Sequence, residues 1–307
     1  MSLLIVGTVA FDAIETPFGK REKIVGGAAT YIGLSASHFN NPIHLVSVVG
    51  DDFPQDAIDT LHRHGVNTDG LQIKKQEKTF FWSGKYQYDM NTRDTLETQL
   101  NVLETFNPIV PESYQQCECL MLGNLMPSIQ QNVLNQLHQR PKLIVLDTMN
   151  FWMDHYLDDL MTALKDVDIL TINEEEARQL SGEYSLVKAA QKILSFGPSY
   201  LVIKKGEHGA LLFNAEEVFF APALPLEEVV DPTGAGDTFA GGFVGHLTAT
   251  QDYTFENMKR AVIIGSAMAS FSVEKFGTER MVELTKAEIN QRISAFVDLV
   301  QFDIQMG

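Results

Sequence analysis

Val229-Val-Asp-Pro-Thr-Gly-Ala-Gly-Asp-Thr-Phe-Ala-Gly-Gly-Phe243 joins a strand end to a helix through a glycine-rich turn. Val229 and Val230 are β-branched and read as the close of a strand. Asp231, Pro232, Thr233 and Gly234 form the turn. A helix pattern then begins at about Gly236, with Phe239, Gly242, Phe243, His246 and Leu247 on one face of a 3.6-residue period. Gly234, Ala235 and Gly236 fall where backbone N–H groups lack an intrahelical partner and point outward with the positive end of the helix dipole. Residues this small let an anion such as a phosphate approach the main chain closely. Asp237 lies in the first turn of the helix. Its carboxylate there either favours the dipole or faces the bound anion as a catalytic base.

Outward from this stretch, strand-like and helix-like runs alternate. The strand-like runs are Leu3–Gly7, His44–Val49, Cys119–Leu122, Lys142–Asp147, Ile169–Ile172 and Tyr200–Lys204. The helix-like runs are Ala28–Phe39, Gln55–His64, Ile129–Gln139, Glu174–Leu180, Leu186–Phe196, Phe255–Val273 and Lys286–Asp303. This alternation predicts a mostly parallel sheet with helices on both faces. Continuous apolar strands such as Leu143-Ile-Val-Leu146 suit a sheet covered on both sides. One region breaks the pattern: Phe80 to Asp89 alternates with period 2, placing Phe80, Trp82, Tyr86 and Tyr88 on one face. Met90–Asp94 reads as a turn and Thr95–Leu100 as a return strand, an antiparallel hairpin.

The chain has 307 residues, 45% hydrophobic and 21% charged, an ordinary globular balance with room for a full core. A net charge of −17 without a basic stripe disfavours nucleic acid as a partner. No apolar run approaches the ~20 residues of a membrane span. The start Met1–Gly7 reads as a strand rather than a signal peptide, so the expected location is cytoplasmic. Cys117 and Cys119 make neither a disulfide framework nor a metal site and read as core thiols whose side chains face the same way on a strand.

Asp231-Pro-Thr-Gly-Ala-Gly-Asp-Thr-Phe239 resembles the signature of the ribokinase-like (PfkB) family of sugar and nucleoside kinases, and the resemblance spans essentially the whole chain. It implies one three-layer α/β/α domain over residues 1–307 with a mostly parallel central sheet. A small β lid is expected within it, from segments of about 10–24 and 76–104. It also implies ATP and Mg²⁺, with K⁺ as a further candidate, and transfer of the γ-phosphoryl group to an alcohol of a small sugar-like substrate. A nucleoside is the alternative acceptor; a second alternative is a catalytically silent ligand sensor, against which the retained Asp237 argues.

Residue by residue, the resemblance makes Asp237 the base and Gly234, Ala235 and Gly236 the anion hole. Asp12, at the end of Gly7-Thr-Val-Ala-Phe-Asp12, would accept hydrogen bonds from substrate hydroxyls. Gly26 and Gly27 in Gly26-Gly-Ala-Ala-Thr-Tyr31 match the segment where backbone approaches the substrate. Tyr31 stands where the family commonly carries Asn, which is expected to replace a hydrogen-bonding amide by a flat face able to stack on a base. Asn173 and Glu176 in Asn173-Glu-Glu-Glu176 match the element that organises Mg²⁺, largely through water. In Lys204-Lys-Gly-Glu-His-Gly209, Gly206 and Gly209 match the nucleotide turn and Lys205 could reach a phosphate; Gly277 is expected beside the adenine. Asp231 and Thr233 match positions near a monovalent cation in some members, and the aromatic lid face suits a homodimer contact.

Overall fold

The computed structural model describes residues 1–301. Its strands are β1 (Leu3–Val6), β2 (Ala10–Thr16), β3 (Gly19–Gly26), β4 (Ile43–Gly50), β5 (Val66–Lys74), β6 (Phe81–Tyr86), β7 (Arg93–Gln99), β8 (Cys119–Leu122), β9 (Leu143–Asp147), β10 (Ile169–Asn173), β11 (Tyr200–Lys204), β12 (Ala210–Phe213) and β13 (Val218–Ala221). Nine of them form one sheet in the order β13-β12-β11-β10-β9-β8-β1-β4-β5. The pairs from β5 across to β11 are parallel, and β12 and β13 add antiparallel strands at one edge. A second sheet, ordered β3-β2-β6-β7, is the lid.

The helices are α1 (Ala28–Ala36), α2 (Gln55–Arg63), α3 (Pro127–Gln136), α4 (Asn150–His155), α5 (Leu157–Ala163), α6 (Glu174–Ser181), α7 (Leu186–Leu194), α8 (Ala235–Thr250), α9 (Phe255–Ser272), α10 (Glu279–Glu283) and α11 (Lys286–Val300). They make the layers the strand pattern calls for. Leu3 and Ile5 of β1 pack with α1, α8 and α9, whereas Leu4 and Val6 pack with α5 and α7 on the other face. All four side chains are fully buried. Full burial stabilises by roughly 1.5–3 kcal/mol per Leu, Ile or Val, so continuous apolar strands hold the helices on both sides. The small residues after the signature turn let α8 lie close to α1: a Cβ on Gly241 would stand 2.5 Å from the Ile32 carbonyl oxygen. Ser35 Oγ donates to the Thr238 carbonyl oxygen at 2.7 Å across the same contact.

Several elements differ from the sequence expectation. β5 carries Asn67, Thr68, Asp69 and Gly70 and has no strand-like composition, yet it pairs along β4 because Gly70 leaves room for the Leu45 carbonyl. β12 and β13, with α4, α5 and α10, were not expected. Pro127 starts α3 before Ile129, since its missing N–H is harmless in the first turn. The return strand of the lid begins at Arg93, and Tyr88 lies in the turn, 86% exposed, rather than on the aromatic face. Cys117 precedes β8, and the two thiols lie in the two opposite core layers, both buried and free. The expected end of the last helix at Asp303 lies outside the described residues. Among the described residues no helix is long and apolar enough to cross a membrane.

Candidate active site

The carboxyl ends of β9, β10 and β11 bring Asp147, Asn173 and Lys204 to one edge of the sheet, the edge where open α/β sheets bind ligands. Lys204 Nζ donates to Asp147 Oδ2 at 2.8 Å, and both side chains are largely buried. Thr148 N–H occupies Asp147 Oδ1 at 2.8 Å. Burial opposes the charge on Lys204, but Asp147 and Glu176 hold it above the usual lysine range. The ammonium lies under the signature turn: a Cβ on Gly236 would stand 3.2 Å from Lys204 Nζ.

That turn ends in Gly234, in the left-handed region at φ 74°, and α8 begins at Ala235. Ala235 N–H donates to the Pro232 carbonyl at 3.2 Å. Gly234, Gly236 and Asp237 donate to no backbone oxygen among the described residues, so these N–H groups, rather than Gly234, Ala235 and Gly236, are the ones free to meet an anion. Asp237 is half-buried in the first turn. Burial, with the Asp147 charge added, pushes its carboxyl up to about 7 against Lys204 and Arg93.

Asp12 sits on β2, 5% exposed, against Gly26, whose lack of a side chain is required because a Cβ would overlap the carboxylate. Burial and the Asp231 charge push Asp12 up to about 7, with the Gly27 N–H opposing. Gly27 precedes α1 at φ 90°. Tyr31 follows one turn later and is 1% exposed. Its ring packs on Gly234, leaving no open face for a base, which corrects the stacking expectation. What remains is a buried hydroxyl with no hydrogen-bond partner among the described residues. Burial and the charges of Asp12, Asp231 and Asp237 hold that phenol well above its ordinary value.

Asn173 and Glu176 form a reciprocal cap on α6: Glu176 N–H donates to Asn173 Oδ1 at 2.8 Å and Asn173 N–H to Glu176 Oε2 at 2.7 Å. Burial pushes Glu176 up to about 7, opposed by Lys204 and reinforced by Asp147. No three His, Cys, Asp or Glu side chains converge on one metal position among the described residues. This donor set fits Mg²⁺ held chiefly by phosphate oxygens and water, with Glu176 ordering the water. Asp231 is fully buried and staples two loops, accepting from Thr233 N–H and Gly277 N–H, both at 2.9 Å. Gly209 packs on the Ala221 carbonyl, whereas Gly206 is exposed at φ 55° and Lys205 is half-buried.

Residues 3–285 match the family described as pfkB family carbohydrate kinase. The chain belongs to this family. It is an ATP-dependent phosphotransferase, a sugar or nucleoside kinase. It is 31% identical over 80% of its length to the cytidine kinase of Thermococcus kodakarensis, covering 87% of that relative. The ribokinase of Haemophilus influenzae is 24% identical, with 92% and 95% of the two chains covered. The kinase has the fold of the Burkholderia thailandensis nucleoside kinase solved with inosine, at a TM-score of 0.78 and 20% identity, over 96% and 99% of the two chains. Family members use ATP with Mg²⁺.

The sequence reading missed Asp147, the pairing role of Lys204, Trp82 beside Asp12, and Arg93. Asp147 and Lys204 each end an apolar parallel strand, a signal that was available. Arg93 has no local signal, since only the pairing of β7 with β6 sets it beside Tyr86 and Trp82.

Proposed function

We propose that this kinase phosphorylates a ribonucleoside, a narrower reading than the sugar acceptor expected first from the sequence. The observation that carries it is the register pairing of Asp12 with Trp82 on the adjacent parallel strands β2 and β6. Register partners leave a sheet on the same face, so a carboxylate suited to ribose hydroxyls lies beside a half-buried indole suited to a base. The name of the cytidine kinase relative supports the same acceptor class.

In this reading the acceptor hydroxyl gives its proton to Asp237, and the free N–H groups of the signature turn receive the charge of the transferring phosphoryl group. Asp12, Gly26 and Gly27 line the acceptor side, and Tyr31 backs them from beneath the Gly234 turn. Asn173, Lys205, Gly206, Gly209 and Gly277 flank the nucleotide, and Glu176 orders the Mg²⁺ waters. K⁺ beside Asp231 and Thr233 belongs to the same reading, and rates in K⁺ against tetramethylammonium at constant ionic strength test it. A homodimer through the lid is a further proposal, supported by β7, which is exposed along its whole length, and tested by light scattering.

Initial rates with cytidine, other ribonucleosides, ribose and fructose at saturating MgATP test the acceptor. The expected result is that a ribonucleoside exceeds both sugars in kcat/KM. Trp82→Ala should lower the nucleoside value by about 5–100-fold, the effect of losing a stacked base, and leave ribose unchanged. A sugar preferred by the unmodified enzyme overturns the proposal.

A further inference from the structure

We propose that Lys204 is a catalytic cation for the transfer step: its ammonium, fixed by Asp147, donates to an oxygen of the transferring phosphoryl group held at the Gly236 N–H. This rests on the reading of the signature turn as the phosphoryl site. Sheet geometry brings the lysine there. Val145, Ile169 and Val202 lie in the core layer covered by α8 and α9. Side chains alternate along a strand, so Asp147, Thr171 and Lys204, each two residues on, leave the sheet on that same face. Thr171 is the register partner of Asp147, and Asn173 that of Lys204, so Lys204 must lean across the end of β10 to meet Asp147. Its long, flexible stem makes the span, and Lys204 Nζ donates to Asp147 Oδ2 at 2.8 Å. Thr148 N–H holds the other carboxylate oxygen at 2.8 Å, which fixes the acceptor in place.

The ammonium keeps donors unfilled. It carries three N–H groups, and Asp147 Oδ2 is the one acceptor it meets among the described residues. The side chain is only 18% exposed, so bulk water has little access to the other two. Glu176 and Asp237 also face it, but burial raises both to about 7, and neither is a full counter-charge near neutral pH. A largely buried cation in this state favours an incoming anion. The unpartnered Gly236 N–H marks where that anion sits. A Cβ on Gly236 would stand 3.2 Å from Nζ, so an oxygen held by the Gly236 N–H comes within reach of the ammonium. In the step itself the acceptor oxygen bonds to the γ-phosphorus, the bond to the β–γ bridging oxygen breaks, and ADP leaves with that electron pair. The hydroxyl proton passes to Asp237. Lys204 stays protonated throughout and stabilises charge on the equatorial oxygens, and a donor fixed before the reaction does so without reorganising.

The competing role for Lys204 is that of a counter-charge to Asp147 alone, and a paired substitution separates the two. Asp147→Asn removes the charge that needs neutralising, and Lys204→Met is then added in the full chain, with thermal melts to confirm folding. Rates are measured with whichever acceptor the unmodified enzyme turns over. The expected result is a further fall in kcat of about tenfold or more at unchanged acceptor KM, although the double variant melts no lower than Asp147→Asn. Calorimetry should show ADP binding unchanged between these two variants. ADP with aluminium fluoride and acceptor, a mimic of the transferring group, should bind the double variant about tenfold or more weakly. Lys204→Gln with Asp147→Asn, an amide pair in place of the ion pair, repeats the comparison if the Met variant melts below the assay temperature. A smaller fall in kcat, or ADP binding weakened as much as that of the mimic, overturns the proposal. Asp237→Asn shows which reading has failed. If it lowers kcat where the Lys204 change does not, only the role of the lysine falls; if neither lowers kcat, the signature turn is not the phosphoryl site.

Discussion

Tyr31 occupies the space a side chain on Gly234 would need: a Cβ there would lie 2.5 Å from Cε2 and Cζ of the Tyr31 ring. Helix α1 and the signature turn are thereby locked face to face, and the unpartnered N–H groups of the turn are positioned by a ring over two hundred residues away in sequence. Gly234 also holds φ 74°, which a residue with a Cβ adopts only with strain.

Gly234→Ala is therefore expected to lower thermal stability and reduce kcat by more than about 10²-fold, the scale of a disturbed oxyanion-type site. Adding Tyr31→Ala should restore part of the lost melting temperature, because the clash is removed while the backbone strain remains. A double variant whose destabilisation equals the sum of the singles would mean that the two residues do not couple.

Asp237→Asn should lower kcat by about 10²–10⁴-fold. The pH dependence has a definite sign. A base must be ionised, and this carboxyl is raised to about 7 in the free enzyme, so kcat/KM rises with pH through about 7 and then levels. Stability moves the other way. A carboxyl whose folded value exceeds its unfolded one favours the folded state below the unfolded value, and that contribution is lost as pH rises towards about 7. Asp237→Asn should thus melt higher than the unmodified enzyme at pH 8, by about 1.5 °C for each kcal/mol of relief, and no higher at pH 4. Differential scanning calorimetry at the two pH values checks this.

Lys204→Met removes one half of a buried ion pair and leaves Asp147 without its counter-charge. Breaking such a pair is destabilising by about 3–5 kcal/mol, and Asp147→Asn in the same chain should recover much of it. Because Lys204 opposes the raised values of Glu176 and Asp237, its loss should also move the kcat/KM midpoint to higher pH. A profile that stays in place would separate Lys204 from the base.

Glu176→Gln keeps an oxygen able to accept from Asn173 N–H, so the α6 cap and the melting temperature should change little. The Mg²⁺ concentration for half-maximal rate should rise several-fold, since a carboxylate that orders metal-bound water has lost its charge. An unmoved Mg²⁺ titration, with weaker acceptor binding instead, would assign Glu176 to another site.

The alternating runs, the turn from Asp231 to Gly234, the helix behind it and the placing of Asp237 in its first turn were all readable locally. Each depends on near-neighbour physics: hydrophobic period, glycine at a left-handed position, and unpartnered N–H groups at a helix start. Asp12, Gly26 and Glu176 were readable with the family resemblance, because they stand at fixed offsets from strand ends. Tertiary structure alone decided the rest. It turned Tyr31 from an expected stacking face into a buried hydroxyl, freed Asp237 N–H while occupying that of Ala235, and joined Lys204 to Asp147. It also set Arg93 over the Trp82 ring. These outcomes depend on which distant surfaces meet, and a side chain's partner across a fold leaves no period in its own segment.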